Sequence, residues 1–485
     1  MAPCAVRFGD GTMTHVVHLA PARSLLDQAI AWSRESSLGE VENAPATPGT
    51  VPGWSLRGQD LGAAGRRDLL LASWMRLPFD RTPAIRVLRA RAGGLSRLAR
   101  ASGRRGASVQ EVDVATEALV VMLAAELLRW GTPWEDVAKT LPEVNRALER
   151  ITHGDRDRDG FVERSDGSAW AEDQGYAYAA YRARATLARA SGNPDQARCW
   201  EDAAQAIRHH FNQAFWLPES GRFANALDAT STPTTVAGAE IGQCLWTEVI
   251  DEDKAGVVAA HLMAHETFCR WGLRSRKDPA EDDDDGGQLR VINPSENAIV
   301  AAGLARYGYR AEAFSVAQTQ FAAADSFGGL LPGSFMADPR IVTDGAAAAG
   351  RRWFGDPVAV RRCAPQECAA PHPPTASSAA APLLLLRALL GLEPDVPRGT
   401  VQLSPAVPAR YLPLVVEDLL VGGERATVRL PAAARDPIAV SGLPDGVSLT
   451  LAGPAGHRLS LERQTVTSHL ARRAGSPVTR LASDN

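Results

Sequence analysis

The chain has 485 residues, of which 45% are hydrophobic and 22% charged, a balance typical of a soluble globular protein. Its formal net charge is −4, and no stretch rich in lysine and arginine is long enough to follow a phosphate backbone, so nucleic acid is disfavoured as a partner. The first twenty residues lack a basic segment followed by an apolar run, and we therefore expect no signal peptide.

Short β-like segments surround the turn GDG near the N-terminus. From Ser24 onward, apolar residues recur at three- and four-residue spacing, which predicts helices in SLLDQAIAWSR, RRDLLLASWMRL, TPAIRVLRARAGGLSRLARA and TEALVVMLAAELLRW. Asn193 is predicted to cap the helix that begins at Pro194. About a dozen such segments follow in pairs with short turns, and this alternation predicts a closed helical toroid in which inner and outer helices bury one another.

The stretch DRDRDGFVERSDGSAW, which begins at Asp155, has the alternating aspartates of a calcium loop. However, Asp166 stands at the twelfth place, where an EF-hand uses the longer glutamate, and two arginines between the aspartates dilute the negative charge. We interpret the stretch as a turn between two helices that does not need calcium.

Toward the C-terminus, the apolar run AAAPLLLLRALLGL is interrupted by Arg387 and is too short to span a bilayer, so we predict a buried helix and no membrane partner. After Gly391, proline becomes frequent, and the alternating segments TVQLS, LPLVVEDL, RATVRL and VSLTLAG predict a small antiparallel β appendage.

The sequence contains no recognisable motif for binding a cofactor or a metal ion. Cys363 and Cys368 are five positions apart, but no second Cys/His pair has ligand spacing. The chain also lacks a Walker A sequence, a Rossmann fingerprint and a GxSxG elbow. From these missing motifs we expect no cofactor. Six scattered cysteines are typical of free thiols in a reducing cytoplasm, so we expect a cytoplasmic protein.

Several stretches together resemble the actinobacterial glycogen-debranching family of amylo-α-1,6-glucosidase type. They are LLRWGTPWEDV, LPEVNRALERI, DRDRDGFVE, EDQGYAYAAYRARA, IGQCLWTEVIDEDKA, WGLRS, NAIVAAGLARYGYRAEA and APLLLLRALLGLEPD, in matching order from about Trp54 to Leu430. The resemblance implies an all-α (α/α)6 barrel of six-hairpin glycosidase type, with a site at its mouth built from loops between helices. It also implies an N-terminal β remnant and lead-in helix over 1–53, the barrel over 54–392, the β appendage over 393–470 and a disordered tail over 471–485.

Glycoside hydrolysis requires two carboxyl groups that flank the scissile bond. In the resembled family, the acid is an aspartate in a GWKDS-like loop, but here SDGSAW runs straight into AEDQGYAYAA and that segment is missing. The family's base is a glutamate in an LPELF-like loop, and the matching GGLLPGSF has Gly333 in its place. The resemblance therefore implies that both catalytic carboxylates are lost.

Other pocket positions have also diverged. A VWPHDN-like stretch is VINPSEN here, which keeps Asn297 and places Glu296 where the family has aspartate. A GRDS-like element is GRRDL, which contains Asp68, and Glu240 stands where an asparagine precedes IGHLLW. Glu172, in EDQGY, matches a family element that lines the pocket.

Glu172 and Glu296 are accordingly the candidate relocated catalytic carboxylates, although either would also stabilise a helix N-terminus as an ordinary acidic residue. The candidate substrate-binding residues, which include two tryptophans in loops, are Trp54, Asp68, Trp170, Gln174 and Asn297.

Two classes of function remain open. The first is a degenerate glycosidase that binds an α-glucan or oligosaccharide without cutting it, or a protein-interaction scaffold. The second is an active glycosidase with relocated carboxylates. Two carboxylates about 5 to 9.5 Å apart across an open cleft would favour the second.

Overall fold

The structure is a computed structural model, and it describes residues 6–8, 55–56, 59–60, 63–101, 113–235, 238–275, 291–327, 331–336, 366–367, 375–408, 411–433 and 436–451. Trp54, the predicted lead-in helix, the pair Cys363 and Cys368, and the predicted tail lie outside these residues.

Within these ranges the chain forms twelve α-helices, several of which begin at an identifiable cap. They are α1 (Ala63–Arg76), α2 (Thr82–Ala101), α3 (Val114–Arg129), α4 (Trp134–Ala138), α5 (Leu141–Thr152), α6 (Ala171–Ala190), α7 (Pro194–Ala214), α8 (Gly242–Thr247), α9 (Glu252–Leu262), α10 (Pro294–Arg306), α11 (Arg310–Ser326) and α12 (Ala376–Leu390). The predicted cap at Asn193 is confirmed, because its side chain accepts a hydrogen bond from the backbone N–H of Gln196. A capping box of Thr375 and Ser378 begins α12, and Gly391 in the left-handed conformation ends it.

Six helices close a ring. The contacts run from α1 to α3, then to α6, α8, α10 and α12, and α12 packs back against α1. Helices α2, α5, α7, α9 and α11 pack against members of the ring. None of the helices in the described part of the chain is both long and apolar enough to cross a bilayer.

The sequence of each helix fits its place. All residues of α12 are buried, as predicted, because this ring helix has neighbours on several sides. The peripheral helix α5 instead buries a single stripe, Val144, Ala147, Leu148 and Ile151, at the spacing of one helical face. The ring helix α12 thus has apolar residues on all sides, whereas the peripheral helix α5 has them along one face.

Short strands hold the chain just before two ring helices. β4 (Ala169–Trp170) leads into α6 and pairs antiparallel with β7 (Ala226–Leu227). β11 (Val291–Ile292) precedes α10 and pairs antiparallel with β12 (Phe335–Met336). The remaining short strands are β2 (Ser55–Leu56), β3 (Gln59–Asp60), β5 (Trp216–Leu217), β6 (Arg222–Phe223), β8 (Pro233–Thr234), β9 (Phe268–Cys269), β10 (Gly272–Leu273) and β13 (Gln366–Glu367). The pairing of β4 with β7 and that of β11 with β12 fix where the first turns of α6 and α10 begin.

The strands of the C-terminal part, together with one N-terminal strand, are β1 (Val6–Phe8), β14 (Glu393–Asp395), β15 (Thr400–Leu403), β16 (Leu414–Val421), β17 (Glu424–Leu430), β18 (Ala439–Ser441) and β19 (Ser448–Leu451). They form two sheets, with the strand order β1-β16-β17-β18 in one and β14-β15-β19 in the other. β16 and β17 form a hairpin through Gly422 and Gly423, which both have positive φ, as a tight hairpin turn requires.

These sheets differ from the predicted antiparallel appendage in one pairing and one strand. β15 and β19 run parallel, because the chain builds β16 to β18 between them and returns in the same direction. The N-terminal strand β1 pairs with β16, so this piece of the predicted N-terminal remnant completes a C-terminal sheet.

Candidate functional site

Two glutamates in the first turns of ring helices meet at one amide. Gln243 of α8 donates from its Nε2 to Glu172 Oε2 of α6 at 3.3 Å and to Glu296 Oε1 of α10 at 3.2 Å. Both hydrogen bonds start at the same nitrogen. The distance between the two carboxylate oxygens therefore cannot exceed the sum of the two N···O distances. The structure therefore brings the two candidate catalytic carboxylates together.

The other end of the same amide faces two donors. Gln243 Oε1 accepts hydrogen bonds from Arg67 Nη2 at 3.1 Å and from the Tyr176 hydroxyl at 3.1 Å. Arg67 belongs to α1 and Tyr176 to α6, so four ring helices contribute to one set of contacts. We call Arg67, Glu172, Tyr176, Gln243 and Glu296 the central network. Its two glutamates and Arg67 remain partly exposed, whereas Gln243 and Tyr176 are buried.

The surroundings of Glu296 favour its protonated form. Burial raises the pKa of Glu296 to about 7, and the charge on Glu240 acts in the same direction. A hydrogen bond from Ser275 Oγ to Glu296 Oε2 and the positive charge of Arg67 oppose this shift. Burial by itself would lower the pKa of Arg67, but Tyr176 and Glu172 raise it, so Arg67 stays charged. Near neutral pH the site thus holds a charged arginine and a carboxyl group that is partly protonated.

Arg164 organises the edge of the site beside Glu172. It donates to Glu172 Oε1 at 3.0 Å and to Asp173 Oδ2 at 2.8 Å, and its guanidinium lies 4.4 Å from the centre of the Trp170 ring. Burial raises the pKa of Asp173 to about 6, against the opposing charge of Arg164. Since Arg164 covers one face of Trp170, a sugar could stack only on the other face.

Gln174 and Asn297 direct their side-chain amides to the backbone of neighbouring loops. Both side chains have zero exposure. The Gln174 amide bonds both the N–H and the carbonyl of Val162, and it also donates to the carbonyl of Trp170. The Asn297 amide bonds the N–H and the carbonyl of Leu273. We assign these two amides to holding the loops around the site.

Asp68 lies beside Arg67 on α1 but faces the start of α12. Its carboxylate accepts hydrogen bonds from the backbone N–H groups of Ala376 at 2.9 Å and Ser377 at 3.0 Å. This places a negative charge at a helix N-terminus, where it stabilises the helix. The predicted stacking residue Trp54 lies outside the described residues.

Sequence reasoning did not select Tyr176 and Gln243 as site residues. Tyr176 follows Glu172 by four positions, so one face of a helix carries both, and this spacing was a usable signal. Gln243 is a polar residue inside the apolar stretch IGQCLW, a pattern that often marks a buried amide with specific partners. Gly333 lies within the described residues and, having no side chain, cannot supply a base.

The aspartate-rich loop forms an acidic cluster apart from the central network. Possible ligand oxygens of Asp155, Asp157, Asp159 and Glu163 lie within 4.8 Å of one another and could hold a cation. Asp166 is not part of this cluster. Its Oδ1 accepts hydrogen bonds from the backbone N–H and the hydroxyl of Ser168. The turn is also held by its own bonds, since Asp157 and Asp159 each accept from a backbone N–H two positions later.

No family model matches the sequence, and no curated protein matches it. Among solved structures, the chain is similar to the GH78 family rhamnosidase of Bacillus sp. GL1, with 13% identity and a TM-score of 0.57 over 94% of this chain and 43% of that one. It is also similar to the α-L-rhamnosidase from Dictyoglumus thermophilum, with 11% identity and a TM-score of 0.51 over 93% of this chain and 45% of that one. A glycosidase shares 16% identity and a TM-score of 0.50 over 78% of this chain and 99% of its own.

The chain thus spans less than half the length of the two rhamnosidases. At these identities the similarity concerns the fold alone. The chain has a glycoside hydrolase-like fold.

Proposed function

We propose that the six-helix ring is the inner layer of an (α/α)6 barrel, and that the central network marks a carbohydrate-binding site at its mouth. Two findings support the barrel. The ring closes on itself with further helices packed against its members, and the fold resembles that of glycosidases. The site lies at the first turns of α6 and α10, which share one end of the ring because the central network joins them.

The observation that carries the carbohydrate proposal is the shared amide of Gln243, with partly exposed carboxylates on one side and Arg67 and Tyr176 on the other. Carboxylates accept hydrogen bonds from sugar hydroxyls, and arginine donates to them. Trp170 adds a partly exposed ring beside this set. In line with the debranching-type resemblance, we propose an α-glucan or an oligosaccharide as the ligand.

We further propose that this site binds its sugar without the family's catalytic chemistry. The loop that carries the acid in the resembled family is missing, and Gly333 stands at the place of the base. Loss of a general acid or base typically costs a factor of about a hundred or more in rate. The protein is then a degenerate glycosidase of debranching type.

One observation favours a second candidate, hydrolysis by Glu172 and Glu296. Their shared contact with Gln243 sets an upper limit on the distance between the two carboxylate oxygens. This limit is compatible with the roughly 5 to 5.5 Å that separates the two carboxyl groups of retaining glycosidases. Their environments also differ, because burial raises the pKa of Glu296 to about 7 while Arg164 pairs with Glu172. In this scheme Glu296 would protonate the leaving oxygen and Glu172 would attack the anomeric carbon. The sugar would first have to displace the Gln243 amide from between them.

Calorimetric binding and hydrolysis of maltose, isomaltose, longer α-glucans and glycogen, measured side by side, separate the two candidates. Binding without turnover, weakened by Trp170→Ala, supports the degenerate glycosidase. Turnover that is lost in both Glu172→Gln and Glu296→Gln supports the second candidate. If neither binding nor turnover is found with any of these sugars, the carbohydrate proposal is wrong and a protein-interaction scaffold is favoured.

A further inference from the structure

We infer that Gln243 is a positioning residue that holds Glu172 and Glu296 together as a pair and favours the ionised form of Glu296. The inference rests on the proposed function only for the statement that this pair faces a sugar. The hydrogen bonds themselves carry the rest.

The orientation of the Gln243 amide is determined by its partners. A guanidinium can only donate hydrogen bonds, so the amide atom that faces Arg67 at 3.1 Å must be the oxygen. The other amide atom, which faces Glu172 and Glu296, is then the nitrogen. Because the side chain is 1% exposed, water does not compete for these positions.

In this orientation each carboxylate receives one of the two N–H groups. Two carboxylate oxygens this close would otherwise repel each other in surroundings that solvate charge poorly. A donated hydrogen bond stabilises the ionised form of a carboxyl group. Gln243 therefore lowers the cost of ionising Glu296 without adding a charge of its own.

The other groups around Glu296 do not replace this contribution. Arg67 favours its ionised form but lies on the far side of the amide, and Ser275 donates to its second oxygen. Glu240 carries a like charge that opposes ionisation, Glu172 is the second acceptor of the amide, and Tyr176 stays neutral because burial raises its pKa to about 12. Gln243 is thus the neutral group that donates to both carboxylates at once.

The test is a carboxyl ¹³C NMR titration of the full chain with labelled glutamate, in which Glu296→Gln identifies the signal of Glu296. Gln243→Met removes all four hydrogen bonds at similar volume, and Gln243→Leu removes them as well; neither variant adds a charge. We expect both variants to bind the Glu296 proton about tenfold more tightly than the parent protein. Gln320→Met, which alters another buried amide outside the central network, serves as the matched control and should leave the titration unchanged.

If Gln243 only fills space, the Glu296 titration in Gln243→Met and Gln243→Leu will stay as in the parent, and the inference is then overturned. Should Gln243→Met fail to fold, Gln243→Leu decides. The titration needs no sugar. An absence of sugar binding would therefore refute the proposed function and leave this inference standing.

Discussion

Glu296 experiences opposing influences on its charge. It lies in the first turn of α10, where the helix dipole favours an anion, and Ser275 donates to it. Burial and the charge of Glu240 outweigh these effects and raise its pKa to about 7 from an ordinary value of 4.5. The consequence is a carboxyl group that binds its proton more tightly in the folded chain than in the unfolded chain.

Stability should therefore depend on pH through this residue. Between about pH 4.5 and pH 7 the folded state holds more protons than the unfolded state, so the free energy of unfolding falls as pH rises through this window. Glu296→Gln stays neutral and should lose less stability than the parent over the same range. Melting temperatures of both proteins from pH 5 to pH 8 check this, and an equal pH response in the two would contradict it.

At the scale of the element, a side chain on one ring helix stabilises the N-terminus of another. Asp68, on α1, accepts hydrogen bonds from the first N–H groups of α12, which lies next to it in the ring. This contact joins the first and last ring helices, so it stabilises both the terminus of α12 and the closure of the ring.

Asp68→Ala should lower the free energy of unfolding by about 1 to 2 kcal/mol, the usual cost of losing a side-chain cap. Urea denaturation measures this loss, and Asp68→Asn, which can still accept a hydrogen bond, should lose less. A substitution that abolished sugar binding at unchanged stability would instead assign Asp68 to the ligand, as the sequence predicted.

The loop between α5 and α6 should not depend on a cation. Asp157 and Asp159 already accept hydrogen bonds from the loop's own backbone, and these do not require a metal. We expect the melting temperature to be the same with EDTA and with added calcium. A rise of many degrees with calcium, reversed by the chelator, would show that the cluster at Asp155 is a metal site.

At the scale of the whole molecule, ion pairs join the ring to the C-terminal sheets. Arg387 of α12 donates to Glu126 of α3 at 2.6 Å and to Glu393 of β14 at 3.0 Å, and Arg129 pairs with both glutamates. The apolar core is also continuous from Leu69 to Leu449. Ring and sheets should consequently unfold together.

Arg387→Met should destabilise the protein by about 3 to 5 kcal/mol, because Glu126 keeps its charge in a buried position with one partner fewer. The double variant Arg387→Met with Glu126→Leu removes that charge and should recover much of the loss. Urea unfolding followed by fluorescence and circular dichroism checks both values. Two separate transitions in the parent protein would contradict joint unfolding.

The helices could be predicted because their signals are local. Three- and four-residue spacing, the cap at Asn193 and the stop at Gly391 act within a few residues, and the structure has helices at these places. The β segments after Gly391 were also recognisable from alternation, but the parallel pairing of β15 with β19 was not, since strand direction depends on the whole connection between them.

The candidate site was only partly predictable, for a related reason. The sequence by itself determined that Glu172 and Glu296 stand in the first turns of two helices, because caps and periodicity are read within a few residues. Only the tertiary structure decided that they share an amide, since Gln243 is 71 positions from one and 53 from the other. Closure of the ring sets such distances, and the same packing directs Gln174 and Asn297 to the backbone and raises the pKa of Glu296. No local pattern carries that information, because burial and partner geometry belong to the folded chain as a whole.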